Sequence, residues 1–221
     1  MPRLGVPADV AAIRLALASA LNIMCENGRK VGDAKFGVYA FYDFDGEPIY
    51  VGQTSEKLRV RIRRHLTNHR TDAVAMNVLD PFEVYEVEMW PLWHIQALSQ
   101  KDANQHLNAA EYTVFQKLLA ASSFSAVLNE KDMVETKPIE LPPSTRVCIV
   151  PEDLRANRKH PDIRIARRAG TIASLAKVIS ERDVSPGLRR TLHTQARRLE
   201  WLASVRFAEF AADPNESESE D

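Results

Sequence analysis

The sequence predicts an α+β protein: a small three-stranded antiparallel sheet flanked by helices, followed by an α-helical C-terminal region. Three observations predict this class. An Asp-Gly pair at positions 45 and 46 separates two segments rich in aromatic and β-branched residues, which is the strongest short-range signal of a β-hairpin. Residues 82–90 alternate apolar residues with glutamates, which predicts a third strand with one acidic face. Residues 163–180 and 186–210 have the length and spacing of two long helices joined as a hairpin.

Each element follows from the spacing of its apolar residues. Residues 7–24 carry one every three or four positions and predict a helix with a single core-facing stripe. Residues 36–44 and 47–51 form the two strands of the hairpin. In residues 56–68, Leu58, Ile62 and Leu66 lie four apart and arginines occupy the other faces, which predicts a second helix. Residues 105–121 predict a third helix, and the prolines within 138–143 interrupt regular structure.

These segments predict four parts of the chain. Residues 1–30 supply an N-terminal helix that packs on a central α+β domain at 31–144, and residues 145–212 form a basic helical region. Residues 213–221 carry five acids and no apolar residue, so we expect this tail to be disordered.

The formal charge of −1 conceals a strong asymmetry along the chain. Residues 55–70 contain six Lys and Arg against one acid, and residues 151–212 contain thirteen against seven, which favours a polyanionic partner. The longest apolar stretch is interrupted by Arg14 and is too short to span a bilayer, so we expect no membrane segment. The two cysteines, Cys25 and Cys148, lie far apart without zinc-ligand spacing, which favours reduced thiols in a cytoplasmic protein.

One set of residues has the order and spacing of a catalytic site. Gly37-Val38-Tyr39 lies on the first hairpin strand and Tyr50-Val51-Gly52 on the second. Arg61 and His65 follow, four residues apart, and a single glutamate, Glu111, lies in the helix after the third strand. Over residues 35–129 the sequence resembles the GIY-YIG nuclease superfamily.

These residue types also suit phosphodiester chemistry on physical grounds alone. Side chains on paired strands come within about 5 Å of each other, so Tyr39 and Tyr50 can converge on one site. Arg61 offers a planar fork of donors that matches phosphate oxygens, and a spacing of four places His65 on the same helix face. Glu111 is a hard oxygen ligand suited to one Mg²⁺ ion that keeps most of its waters.

The resemblance implies specific roles: Tyr39 activates water, Arg61 holds phosphate and Glu111 anchors a single Mg²⁺. It implies a metal-dependent endonuclease acting on DNA, with RNA left open, in restriction or defence, mobile-element or repair processing. The family also places an asparagine about a dozen residues after its glutamate. The first candidate here is Asn129, eighteen residues after Glu111, so its part in the site stays open.

The arginines outside this set are candidate nucleic-acid contacts on charge grounds: Arg59, Arg63, Arg64, Arg167 and Arg168. Each candidate also has an ordinary structural interpretation. Arginine runs commonly form solvated helix faces, tyrosines commonly pack in hairpins, and glycines mark strand ends where the backbone needs room. The alternative function is a catalytically silent module that binds nucleic acid or protein on a nuclease fold.

Overall fold

The computed structural model describes residues 7–67, 80–129 and 133–212. Within these ranges the chain forms four strands: β1 (Gly37–Tyr42), β2 (Pro48–Thr54), β3 (Glu86–Pro91) and β4 (Thr145–Cys148). The α-helices of the same ranges are α1 (Ala8–Ala20), α2 (Leu58–Thr67), α3 (Gln100–Ala121), α4 (Glu152–Lys159), α5 (Pro161–Glu181) and α6 (Pro186–Ala212). The predicted α+β class is therefore confirmed.

The sheet is antiparallel throughout and has the strand order β2-β1-β3-β4. The prediction of three strands was wrong by one. The segment Thr145–Cys148, expected at the start of the helical region, instead pairs with β3 and forms the fourth strand. The third predicted strand also begins later than expected, because Pro81–Glu83 forms a turn of 3-10 helix before β3.

The β1–β2 hairpin is closed by the predicted turn. Gly46 has a φ of +77°, a conformation that glycine adopts without steric cost. The Asp43 carboxylate also shapes this turn, since its Oδ1 accepts hydrogen bonds from the backbone N–H groups of Asp45 (2.9 Å) and Glu47 (3.0 Å). The hairpin is thus fixed by a buried acid as well as by the Asp-Gly pair.

The two faces of the sheet contribute to two apolar cores. One face carries Tyr39, and there it packs with Leu17 of α1 and Leu58 of α2. The other carries Val38, which packs with Val114 and its neighbours on α3. Because the hairpin lies between α2 and α3, polar side chains from both helices can reach its outer strand, β2.

The helices α5 and α6 run antiparallel, as predicted. Arg168 Nη1 donates to the carbonyl oxygen of Arg198 at 2.9 Å, and Arg206 donates to the Asp162 carboxylate at 3.0 Å. The expected tail at 213–221, Arg70 of the basic run and the predicted end of α2 at residue 68 all lie outside the described residues. Among the helices of the described ranges, none has the length and apolar character needed to cross a membrane.

Five buried ionic side chains and the partly exposed Asp45 join this helical pair to the hairpin and to the turn before β3, and we call them the ionic cluster: Asp43, Asp45, Glu83, Arg164, Arg168 and Arg198. The three arginine side chains are at most 3% exposed. Arg164 binds Asp45 through both of its terminal nitrogens, at 2.8 and 2.5 Å. The C-terminal helices are therefore held against the β1–β2 turn by charge pairs in the protein interior.

Candidate active site

The two motif tyrosines lie on one face of the hairpin. Tyr39 on β1 is opposite Gly52 on β2, and Tyr50 is opposite Phe41, so the tyrosines are diagonal neighbours. Their ring centroids are 6.1 Å apart. The expected convergence therefore occurs across the diagonal of the strand pair, within the reach that aromatic side chains have on a sheet.

The two motif glycines are required by close packing. A Cβ atom on Gly37 would lie 2.9 Å from Leu58 Cδ1, so this glycine lets α2 approach β1. A Cβ atom on Gly52 would lie 2.6 Å from Tyr39 Oη and 2.8 Å from Tyr50 Cε1. Gly52 thus provides the space in which the Tyr39 hydroxyl lies.

We expect Gly52→Ala to lower the cleavage rate about 100-fold, because the new methyl group must displace the Tyr39 hydroxyl and errors of about 1 Å are this costly in an active site. Gly170→Ala is the matched control: Gly170 lies in α5, and a Cβ atom there would have nothing within 4 Å. Single-turnover cleavage of both variants is the measurement. Full activity of Gly52→Ala would show that the cleavage rate does not depend on the position of the Tyr39 hydroxyl.

Helix α2 presents Arg61 and His65 to the tyrosines. Leu58 and Ile62 are fully buried and fix the rotation of the helix. The His65 imidazole is also buried and lies 5.1 Å from the Tyr50 ring centroid and 5.7 Å from that of Tyr39. The predicted common face of Arg61 and His65 is thus the face that meets the hairpin.

Two buried polar atoms of this site, the Tyr39 hydroxyl and Arg61 Nε, make no hydrogen bond of good geometry among the described residues, although the Arg61 and Tyr50 side chains are close enough to the Tyr39 hydroxyl to change its pKa. Burial raises the pKa of Tyr39, and Tyr50 raises it further, whereas the Arg61 guanidinium lowers it. An unpartnered buried polar atom is costly, so these two atoms of one site indicate a place for substrate or water atoms.

Glu111 approaches the site from α3, on the other side of β2. Burial raises the pKa of Glu111 to about 7, while Arg61 and the backbone and side-chain amides of Gln53 act in the opposite direction. The Gln53 side chain is itself fixed, because its Nε2 donates to Asn108 Oδ1 at 2.8 Å. Arg61 therefore influences both Tyr39 and Glu111 electrostatically.

The charge state of Glu111 predicts a pH-dependent stability difference. A carboxyl whose folded-state pKa lies near 7, above its ordinary 4.5, stabilises the fold below pH 4.5 and loses that contribution as the pH rises through 7. We therefore expect metal-free Glu111→Gln protein to be more stable than the unchanged protein by about 2 kcal/mol at pH 8 and about equally stable at pH 4.5. Urea denaturation in EDTA at both pH values measures this, and an equal difference at both would contradict the assigned burial.

The residues present fit one divalent cation held mainly by solvent. Burial disfavours the charged form of Glu111, and a bound cation would offset that cost. No group of three or more His, Cys, Asp or Glu side chains in metal-binding proximity occurs in the described ranges. A single carboxylate suits Mg²⁺, which keeps several of its waters, better than a metal that requires a full set of protein ligands.

Asn129 does not point its amide at the tyrosines. Its Oδ1 accepts from the Val51 backbone N–H at 3.1 Å, and its Nδ2 donates to the Val51 carbonyl at 2.8 Å. The preceding Leu128 N–H donates to Ile49 at 3.0 Å. Asn129 thus fixes the outer edge of β2 beside Gly52, which is a positioning role.

The arginines predicted to contact nucleic acid differ in their exposure and in their acidic partners. Arg59 Nε donates to Asp33 at 2.9 Å and Arg64 pairs with Glu56, while Arg63 is exposed on α2. Arg167 is partly exposed, with Nη1 3.9 Å from Glu83.

The structure corrects the expectation for Arg168. Its side chain is buried and donates to Asp43 at 2.9 Å and to Glu83 at 3.2 Å. Its charge therefore neutralises acids inside the protein and is not presented to a nucleic acid.

Sequence reasoning missed Gln53 and Asn108. Gln53 directly follows the second motif glycine, and this position beside Gly52 was the available signal. Nothing in the local sequence marks Asn108, since its contact with Gln53 spans 55 residues.

Two tyrosines, a guanidinium, an imidazole and a carboxylate thus surround one edge of a β-hairpin, an arrangement suited to hydrolysis of a phosphate ester. Residues 35–118 match the family model of the GIY-YIG catalytic domain, and Tyr39, Tyr50, Arg61, His65 and Glu111 all lie within the match. This part of the chain therefore matches the GIY-YIG catalytic domain, a domain of the nuclease type. Comparisons with curated proteins and with solved structures returned no match.

Proposed function

We propose that the protein is a Mg²⁺-dependent endonuclease that hydrolyses phosphodiester bonds of DNA. The observation that carries this proposal is that Tyr39, Arg61 and Glu111 all lie in the segment that matches the GIY-YIG catalytic domain, where the Arg61 charge lowers the pKa of both other side chains. A phosphate beside Arg61 would therefore lie close to the residue expected to handle the proton and to the residue expected to hold the metal.

Tyr39 is assigned the role of accepting the proton of the attacking water. Burial favours its neutral form, so the hydroxyl is protonated in the resting protein at neutral pH. The Arg61 guanidinium favours the ionised form of Tyr39. Tyr39 takes the proton of the attacking water as it passes its own proton to the His65 imidazole, whose ring centroid lies 5.7 Å from its own. His65 and Tyr50, whose rings lie against Tyr39, are placed to support this transfer.

Arg61 is assigned the role of binding the phosphate that is cut. Its buried Nε–H has no partner among the described residues, and a guanidinium binds two phosphate oxygens in one plane. Such a contact stabilises the charge that develops on the phosphate oxygens during attack.

Glu111 is assigned the role of holding the metal ion, and Gln53 the role of orienting the Glu111 carboxylate. When bound, Mg²⁺ supplies Lewis-acid stabilisation of the phosphate and the leaving oxygen. RNA remains the alternative substrate, and the restriction, mobile-element and repair roles remain alternatives for the pathway. A cytoplasmic location also stays a prediction; it is supported by the two cysteines, which are both free.

Incubation of the pure protein with supercoiled plasmid DNA, with Mg²⁺ or with EDTA, tests the proposal. We expect cleavage only with Mg²⁺, and mapping of the product ends identifies the bond that is cut. Glu111→Gln is the matched negative control, because it removes the charge and keeps the volume. Binding of plasmid without cleavage by the unchanged protein would favour the catalytically silent module.

A further inference from the structure

A cavity of about 460 Å³ lies between α3, the described residues 125–129 and 133–135, and α6. Its walls include two aromatic rings, two amides, a hydroxyl and a guanidinium: Tyr112, Phe115, Gln116, Asn129, Thr194 and Arg190. A volume of this size lies in the range of ordinary small-ligand sites, which combine apolar walls with a few polar groups. The cavity therefore has room for a nucleobase.

The cavity lies next to the backbone of the active site at two positions. Tyr112 directly follows the proposed metal ligand Glu111 on α3, so their Cα atoms are about 3.8 Å apart. Asn129 contributes to the wall while both ends of its amide bind Val51, the residue before Gly52. The cavity thus borders the parts of α3 and β2 that carry active-site residues, which is where a nucleotide next to a bound phosphate would lie.

The chemistry of the walls favours a base over a phosphate. The aromatic rings of Tyr112 and Phe115 can stack on a base, and Gln116 carries both a donor and an acceptor. The wall also holds one charge of each sign, Arg190 and Glu135. The carboxylate repels phosphate, so the cavity as a whole is not an anion site.

We propose that this cavity is a base-binding subsite, which takes one unpaired nucleobase of the nucleic acid next to the phosphate that is cut. The inference rests on the proposed nuclease function and narrows its substrate class. A base inside a regular duplex cannot enter such a cavity without unstacking, which costs free energy that an already unpaired base does not require. The protein should therefore prefer nucleic acid with an unpaired nucleotide at the cleavage point.

The test uses three dye-labelled duplexes of one sequence, in EDTA so that no cleavage occurs. The first is fully paired, the second has one bulged deoxyadenosine, and the third has an abasic bulge at the same place. We expect the full-length protein to bind the adenosine bulge about tenfold more tightly than the other two, as measured by fluorescence anisotropy.

Two tryptophan variants locate this preference. Gln116→Trp fills the cavity from α3 without removing a buried side chain, since Gln116 is exposed, and should abolish the preference. Gln105→Trp is the matched control: it changes another exposed glutamine of α3, eleven residues or about 16 Å along the helix, and should retain it.

Equal binding of the three duplexes by the unchanged protein, or a preference retained in Gln116→Trp, would overturn the subsite. Plasmid cleavage in Mg²⁺ is scored separately. If the unchanged protein cleaves plasmid but shows no preference for the bulge, the proposed subsite is wrong and the nuclease assignment stands. If it prefers the bulge but does not cleave, the subsite stands and the nuclease assignment is wrong.

Discussion

Replacing Arg61 with alanine is expected to lower the cleavage rate at saturating DNA by about 10²–10³-fold. The Arg61 guanidinium lowers the pKa of both Tyr39 and Glu111, and its buried Nε–H has no partner among the described residues. Its contact with the phosphate gains strength as negative charge develops during the reaction, so its loss affects the rate more than the affinity. Single-turnover kinetics at saturating DNA separate the two effects.

Two further variants make this result specific. Arg61→Lys keeps the charge and loses the planar fork, so its rate should fall between those of the unchanged protein and Arg61→Ala. Lys57→Ala removes one positive charge four residues earlier, at an exposed side chain, and should leave the rate at saturating DNA unchanged. If Arg61→Ala weakens binding and still cuts at the normal rate once DNA is saturating, another residue holds the phosphate.

The sequence predicted those parts of the site whose residues lie close together along the chain. Tyr39 and Tyr50 are separated by one tight turn, so a local hairpin signal is enough to bring them to the same face. Arg61 and His65 share a face because four residues make about one helical turn. Glu111 is further along the chain, and its place beside the hairpin came from the family resemblance.

The fourth strand could not be predicted from local sequence. Thr145–Cys148 has only four residues and follows a proline-rich segment, so its own pattern is weak. What makes it a strand is pairing with β3, in which Glu86 lies opposite Cys148, and such a partner more than 50 residues away leaves no periodic signal. Tertiary pairing thus outweighed local propensity.

The buried arginines of the C-terminal helices show a second reason why the sequence alone was insufficient. Arg164 and Arg168 lie four residues apart on α5, which in sequence resembles a solvated or DNA-facing basic stripe. Their partners are acids of the β1–β2 turn, more than 100 residues earlier, so the sequence alone does not show that the charges meet. Charge counting therefore overestimated the basic surface of the C-terminal helices.

The ionic cluster leads to the largest expected effect on stability, for Asp43→Asn. Asp43 is fully buried, and its Oδ2 accepts from Arg168 at 2.9 Å and from Arg198. Asparagine keeps an oxygen that can accept the two backbone hydrogen bonds of the turn and removes the negative charge. Breaking a buried charge pair on one side costs about 3–5 kcal/mol, because the remaining charges stay buried and uncompensated.

A loss of that size is a large share of the total stability of a domain, so Asp43→Asn should shift the urea midpoint strongly. Asp162→Asn is the matched control, since Asp162 also pairs with an arginine of α6, Arg206, but does so at the surface. Exposed pairs contribute little, so this variant should unfold nearly as the unchanged protein does. Equal, small shifts for both variants would show that the C-terminal helices are held by their apolar contacts, and the cluster would then add no stability beyond that of a surface pair.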